Sequence, residues 1–179
     1  MTNQFCHRIS NKNSTPGTAI EGNPGLSAMP NIRHITPSDI ALMNAVLDFF
    51  GEAFNDRASY TSNPPSPDYL RRLLGGDSFI ALAALQDGAV VGAIAAYELH
   101  KFEQERSEIY IYDLAVAQAH RRQGIATALL EALKRIAAQR GAYVMFVQAD
   151  TGAEDQPAIA LYTKLGTRED VLHFNIAVK

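Results

Sequence analysis

Six consecutive residues, Arg121-Arg122-Gln123-Gly124-Ile125-Ala126, have the types and spacing to hold a pyrophosphate. They fall where strand character gives way to helical character, so they form the turn into a helix and its first residues. The first turn of a helix leaves N–H groups without intrahelical partners, and the helix dipole makes that end partly positive. Anions bind there. Gly124 has no Cβ and lets an anion approach the backbone closely. Arg121 and Arg122 add fixed positive charge and forked donors. A carboxylate, Asp113, lies at the end of the strand before the turn, and a phenol, Tyr162, falls on a later helix.

The elements that must position these groups are legible in the pattern. Ile109, Ile111 and Leu114, interleaved with Tyr110 and Tyr112, read as a strand ending at Val116. Ile125, Leu129 and Leu133 recur four apart, with Ala126 and Leu130 on the same stripe, which predicts a helix to about Arg140 ended by Gly141. Upstream, the pattern predicts a first short strand over 31–35 and a helix over 39–54 capped by Thr36 or Ser38. A proline-containing loop over 55–67 and a short helix from Pro67 to the Gly75-Gly76 pair follow. A hairpin comes next, with strands over 78–85 and 90–99 around a turn at 86–89. Downstream come a strand over 142–148, a helix opened by Pro157 and stopped by Gly166, and a last strand of alternating character over 171–178. The fold class is therefore α/β, with a mixed, mostly antiparallel central sheet and helices on both faces.

Residues 1–28, rich in Asn, Ser, Thr, Gly and Pro, read as a flexible leader, and 29–179 as one domain without internal repeat. The chain has 179 residues, 47% of them hydrophobic and 20% charged, with a net charge of −3. That balance argues against nucleic acid or a membrane surface as partner. The one cysteine, Cys6, allows no internal disulfide, which suits a cytoplasmic protein. No apolar run is long enough to span a membrane. His100, His120 and His173 lack metal-ligand spacing, so no metal is expected.

The pattern Arg121-x-x-Gly124-x-Ala126 between strand and helix resembles the coenzyme A signature of the GCN5-related N-acetyltransferases. The segments FIALAAL, VVGAIAAYELHKFEQERSEIYIYDLAV, HRRQGIATALL, GAYVMFVQAD and ALYTKLGTRED resemble, over roughly residues 40 to 176, the aminoglycoside 3-N-acetyltransferases of the gentamicin-acetylating type. The resemblance implies the acetyltransferase fold and acetyl-coenzyme A as cosubstrate. It implies transfer of an acetyl group to the 3-amino group of a deoxystreptamine ring, with antibiotic resistance as the result. By position it implies that Leu114, Ala115 and Val116 present backbone groups to the pantetheine arm, that Arg121 to Ala126 with Thr127 hold the diphosphate, and that Tyr162 lies near the thioester sulfur. It also suggests a homodimer.

An amine attacks a thioester only when neutral, and an alkyl ammonium has a reference pKa of about 10.4. A carboxylate can bind the cation and take its proton, directly or through water. Asp113 is the candidate, either as base or as the group that orients the amine; its plainer alternative is a structural aspartate where the strand splays. Backbone N–H groups around Leu114 to Val116 would meet the oxyanion if the strand bulges there. Tyr162 would donate to the departing thiolate, or else is a core aromatic. Two acidic groups are expected near the mouth of the sheet, Glu98, Glu103, Glu105, Glu108 and Asp113 in one, against the two bases Lys101 and Arg106, and Asp150, Glu154 and Asp155 in the other. With the basic turn opposite, they would make a bipolar cleft for an anionic cosubstrate and a cationic acceptor. Of these, Glu108, Asp150, Glu154 and Asp155, with Tyr110 and Tyr112 stacking on sugar faces, are the expected acceptor contacts; Tyr60 would stack in the same way or merely pack. Three other functions compete: acetylation of another polyamine, acetylation of a protein amine, and a non-catalytic module that binds acetyl-coenzyme A.

Overall fold

The computed structural model describes residues 30–178. The leader expected over 1–28, and Cys6 within it, lie outside the described residues. Ten elements follow in order: β1 (Asn31–His34), α1 (Ile40–Ala53), α2 (Arg57–Tyr60), α3 (Pro67–Gly75), β2 (Phe79–Gln86), β3 (Ala89–His100), β4 (Ser107–Val116), α4 (Ile125–Gln139), β5 (Ala142–Val147) and α5 (Gln156–Leu165). Short 3-10 turns at Gln118–His120 and Ala153–Asp155 precede α4 and α5. The sheet runs β1-β2-β3-β4-β5, antiparallel except for the parallel β4–β5 pair. That pair is parallel because α4 carries the chain back across one face before β5 starts.

Period-2 alternation sorts the sheet into two cores. Ile80, Leu82, Ile94, Ile109 and Ile111 face α4, whose Ile125, Leu129 and Leu133 are buried against them. Fully burying one such leucine contributes roughly 1.5–3 kcal/mol. Phe79, Ala81, Ala83, Ala93 and Ala95 face the other way, where Met43, Val46 and Phe50 of α1 and Leu70 of α3 cover them. The run of alanines on that face lets α1 and α3 lie close to the backbone.

Local chemistry accounts for most boundaries. The β2–β3 turn places Asp87 and Gly88 at φ 51° and 80°, the positive values that a two-residue hairpin turn needs. Ser66 caps α3 by accepting from the Tyr69 N–H at 3.2 Å, with Pro67 in the first turn. Three expectations are corrected. The cap of α1 is Asp39 rather than Thr36 or Ser38, and its carboxylate turns back to accept from the Thr36 N–H at 2.9 Å and hydroxyl at 2.6 Å. The loop over 55–67 contains α2, started by Asp56, which accepts from the Ser59 N–H at 3.1 Å. The strand expected over 171–178 is absent: the chain after Leu165 makes no ladder. An alternating sequence becomes a strand only beside another strand, and this one has no neighbour in the single chain.

Candidate active site

The end of β4 is built by an extra residue. Ala95 of β3 pairs with Asp113, but Ala96 pairs with Ile111, so the register shifts by one residue at Tyr112. This bulge changes the phase of the strand. Without it, Asp113 would follow Ile109 and Ile111 into the apolar core under α4. With it, Leu114 takes the α4 side, and Tyr112 and Asp113 both turn to the face of α1, α2 and α3.

There Asp113 is buried, with only 7% of its surface exposed, and its Oδ1 accepts from the Tyr60 hydroxyl at 3.0 Å. Burial first, then the charge of Asp113 and the hydrogen bond to it, push the Tyr60 phenol far above its ordinary range. Tyr60 therefore stays a donor. It is held there by α2, by Phe50 of α1 and by Phe54 just after that helix, whose rings lie 5.8 Å from its own. Further tyrosines surround the carboxylate. Tyr112 meets Tyr97 and Tyr110 edge-on at 5.6 and 5.8 Å, and Tyr110 stacks on Phe146 of β5 at 5.0 Å. The Tyr110 hydroxyl donates to Gln148 Oε1 at 2.9 Å. Burial, then Tyr69 and Asp113, raise the pKa of Tyr97. The result is a phenol-lined wall around one buried carboxylate.

The β4–β5 ladder ends at Ile111 opposite Val147, yet β4 continues to Val116 beside β3 alone. From Tyr112 onward β4 thus has no ladder to β5, which leaves a gap in the sheet beside its last residues. β4 leads through the turn at Gln118–His120 to the start of α4. Arg122 and Gly124 adopt positive φ, 65° and 81°, and turn the chain into that helix. The Ala128 N–H donates to the Gly124 carbonyl at 2.9 Å, which leaves the N–H groups of Ile125, Ala126 and Thr127 ahead of the first helical bond. No side chain caps this end and no acid lies in its first turn. Arg122 is exposed, whereas Arg121 is partly buried, its Nε donating to the Val116 carbonyl at 3.3 Å. An uncapped, acid-free helix start flanked by small residues and arginines fits a diphosphate.

Of the remaining expected contacts, Tyr162 packs against the α4-side core, and burial first and Asp155 second push its phenol far above the ordinary range. It lies on the face opposite Asp113, so only the gap could bring both to one ligand. Asp150 is exposed on the loop after β5, and Glu154 lies in the turn before α5. Asp155, expected at an open mouth, is 1% exposed, because the turn at 153–155 tucks it against the start of α5.

The acids before Asp113 also lie elsewhere. Glu108 accepts from the Tyr143 hydroxyl and pairs with Lys101 at 3.2 Å, roughly 16 Å along β4 from Asp113. Glu98 is buried at the same end, accepting from the Ser107 hydroxyl at 2.6 Å and from Arg140 Nη1 at 2.9 Å. These carboxylates are neutralised locally, and a strand's length separates them from the basic turn. The acidic side of the cleft is thus narrower than expected. Among the described residues no group of three or more His, Cys, Asp and Glu could hold a metal, and no helix is long and apolar enough to cross a membrane.

Sequence reasoning missed Tyr97 and Gln148, and saw Tyr60 only as a ring that stacks on a sugar or merely packs, not as a donor to Asp113. The usable signal was the spacing of Tyr110 and Tyr112, two apart on one strand and so on one face of the sheet; Tyr97 joins them from β3.

The model of the acetyltransferase (GNAT) family matches residues 41–167. The chain belongs to that family. No curated protein matches this acetyltransferase. Among solved structures, it is 66% identical to an aminoglycoside acetyltransferase from an uncultured soil metagenomic sample, with a TM-score of 0.82 over 83% of this chain and 98% of that one. A second soil metagenomic aminoglycoside acetyltransferase, solved in complex with sisomicin, is 27% identical, with a TM-score of 0.77 over 87% of this chain and 100% of that one. A ribosomal-protein-alanine N-acetyltransferase from Brucella melitensis biovar Abortus 2308, 24% identical with a TM-score of 0.63 over 82% of this chain and 97% of that one, shares the fold.

Proposed function

We propose that this acetyltransferase moves an acetyl group from acetyl-coenzyme A to the 3-amino group of an aminoglycoside, by direct transfer in a ternary complex, and so confers resistance. The observation that carries the reading is the buried Asp113–Tyr60 pair, set among phenols where β4 leaves β5 and the chain turns into α4. The similarity to two aminoglycoside acetyltransferases supports the acceptor class.

Each chain group then has a task. The N–H groups of Ile125, Ala126 and Thr127, with Arg122 and the outer part of Arg121, would hold the diphosphate. Backbone of Leu114, Ala115 and Val116 would hold the pantetheine arm in the gap, and an N–H beside the bulge would receive charge developing on the carbonyl oxygen. The acyl donor supplies an activated thioester. Asp113 attracts the acceptor ammonium and takes one proton from it, directly or through water. Tyr60 keeps the carboxylate in one orientation while this happens. The amine nitrogen bonds to the carbonyl carbon, the C–S bond breaks and the thiolate leaves, and the second proton of the nitrogen passes to that thiolate, directly or through water, giving amide and thiol. A thiol has a reference pKa of about 8.5, so the thiolate is a weaker base than the phenolate of Tyr162. Tyr162 therefore stabilises sulfur by a hydrogen bond rather than by giving up its proton. Tyr97, Tyr110 and Tyr112 offer faces to sugar rings and to further ammonium groups.

Thiol release from acetyl-coenzyme A, followed with gentamicin, kanamycin, spermidine and a lysine peptide, tests the reading. Release is expected with the aminoglycosides, and NMR of the product should place the acetyl group on the 3-nitrogen. No turnover with any aminoglycoside overturns the acceptor class; acetylation at another nitrogen overturns the position alone.

A further inference from the structure

Gln148 lies where β5 stops. Ile111 pairs with Val147 in the last rung of the β4–β5 ladder, and Gln148 follows at the level of Tyr112, one residue short of Asp113. Side chains alternate along a strand. Met145 and Val147 pack against the core under α4, so Phe146 and Gln148 turn to the other face, the face of Asp113. Two contacts fix this direction. Tyr110 stacks on Phe146, with ring centroids 5.0 Å apart and planes 13° from parallel, and its hydroxyl donates to Gln148 Oε1 at 2.9 Å. Tyr112 meets the same Tyr110 ring edge-on at 5.8 Å. A phenol that is itself held on two sides therefore holds the half-buried amide, at the rim of the gap beside β4.

We propose that Gln148 determines acceptor specificity: with Oε1 taken by Tyr110, its Nε2 donates to a hydroxyl or ether oxygen of the acceptor, so the site selects an oxygen-bearing amine over a plain polyamine. This rests on the acceptor reading above and adds which part of the acceptor is recognised. The reason lies in matching donors to acceptors. The Asp113 carboxylate only accepts, and the phenol oxygens of Tyr97, Tyr110 and Tyr112 can accept. An ammonium only donates, so it suits all of them. Nε2 also only donates, through two N–H groups, and it carries no charge to attract a cation. Set against an ammonium, both groups lose a partner, and a desolvated donor without a partner costs free energy. Set against a sugar hydroxyl or ring oxygen, Nε2 makes an ordinary hydrogen bond. An aminosugar carries ammonium groups and oxygens on one rigid frame. A linear polyamine carries only the ammonium groups.

Gentamicin acetylation with spermidine as competitor tests this in the wild type, Gln148→Met and Gln148→Glu. The readout is the ratio of the spermidine inhibition constant to the gentamicin KM. Methionine has the same length with neither donor nor charge. Glutamate keeps the length and still accepts from Tyr110, so it spares any role that Gln148 has in anchoring that ring, but it has no N–H to offer. Both variants should keep the circular dichroism spectrum and the KM for acetyl-coenzyme A. In both, the ratio should fall by about 3- to 10-fold, the worth of one neutral hydrogen bond. A fall in Gln148→Met without one in Gln148→Glu assigns the residue to anchoring Tyr110 alone and overturns the proposal. A ratio unchanged in both variants, or spermidine that competes in none of the three proteins, overturns it as well. Absence of gentamicin turnover in the wild type removes the acceptor reading itself, and this proposal with it.

Discussion

Replacing Gly92 by alanine should loosen the grip on the acyl donor without touching it. Gly92 lies on β3 opposite Val116, directly under the first turn of α4. A Cβ built there would be 2.9 Å from Ile125 Cγ2 and 3.3 Å from both Leu129 Cδ1 and the Ala115 carbonyl oxygen. Ordinary carbon contacts lie at roughly 3.5–4.0 Å, so Ile125 must retreat by about 0.6–1 Å. It cannot do so cheaply, because a β-branched side chain in a helix has one strongly preferred rotamer. The start of α4 has to move with it. Overpacking of this kind costs about 1–3 kcal/mol, and each kcal/mol lowers Tm by roughly 2–4 °C in a domain of this size. A displacement near 1 Å at a positioning element can cost up to about 100-fold in turnover. Urea denaturation should show the stability loss, and initial rates at varied acetyl-coenzyme A should show a raised KM for the donor with the acceptor KM nearly unchanged. A variant that loses stability yet keeps the donor KM would refute the reasoning, since the first turn of α4 would then have no part in donor binding.

Asp113→Asn keeps the shape of the site but removes its charge and its proton acceptor; kcat should fall by about 100- to 10,000-fold, with donor affinity by calorimetry unchanged. Tyr60→Phe removes one hydrogen bond to a charged group, worth about 1.5–3 kcal/mol, and should lower kcat by roughly 10- to 100-fold. Arg140→Ala strands the buried Glu98 carboxylate and should cost about 3–5 kcal/mol in denaturant unfolding. Burial alone would raise the Glu98 pKa, but hydrogen bonds from Arg140 and Ser107 and the charge of Arg140 outweigh it and hold it below the usual carboxylate range. Its contribution to stability is therefore complete above the unfolded value of about 4.3 and is lost as pH falls through the lower folded value. An acid titration of unfolding free energy should lose that part of its slope in Glu98→Gln.

The turn into α4 was readable because two signals coincide at Gly124: a change of hydrophobic period and a residue free to take positive φ. Asp113 stood out as a charge at the end of an apolar strand. Its direction was not readable. Strict alternation places it with Ile109 and Ile111, and only the register shift at Tyr112 turns it to the other face; such a bulge depends on the strand opposite. The same limit applies to α2, a single turn started by Asp56 inside a proline-containing loop, and so to Tyr60. Glu98 looked like any acid near a loop, because its partner Arg140 comes from the far end of α4. The run Val171–Val178 shows why pattern alone overstates strands: alternation defines a flank but does not supply an edge to pair with.

The central claim concerns where the donor lies relative to α4 and Asp113, and crystals grown with coenzyme A measure it most directly. The diphosphate should lie within hydrogen-bond distance of the N–H groups of Ile125, Ala126 and Thr127, with the pantetheine arm in the gap beyond Ile111 and its sulfur pointing toward the Asp113 side. Coenzyme A bound instead elsewhere, for example in the depression of about 300 Å³ between α1 and the β2–β3 turn lined by Phe49, Glu52 and Val90, would contradict the account.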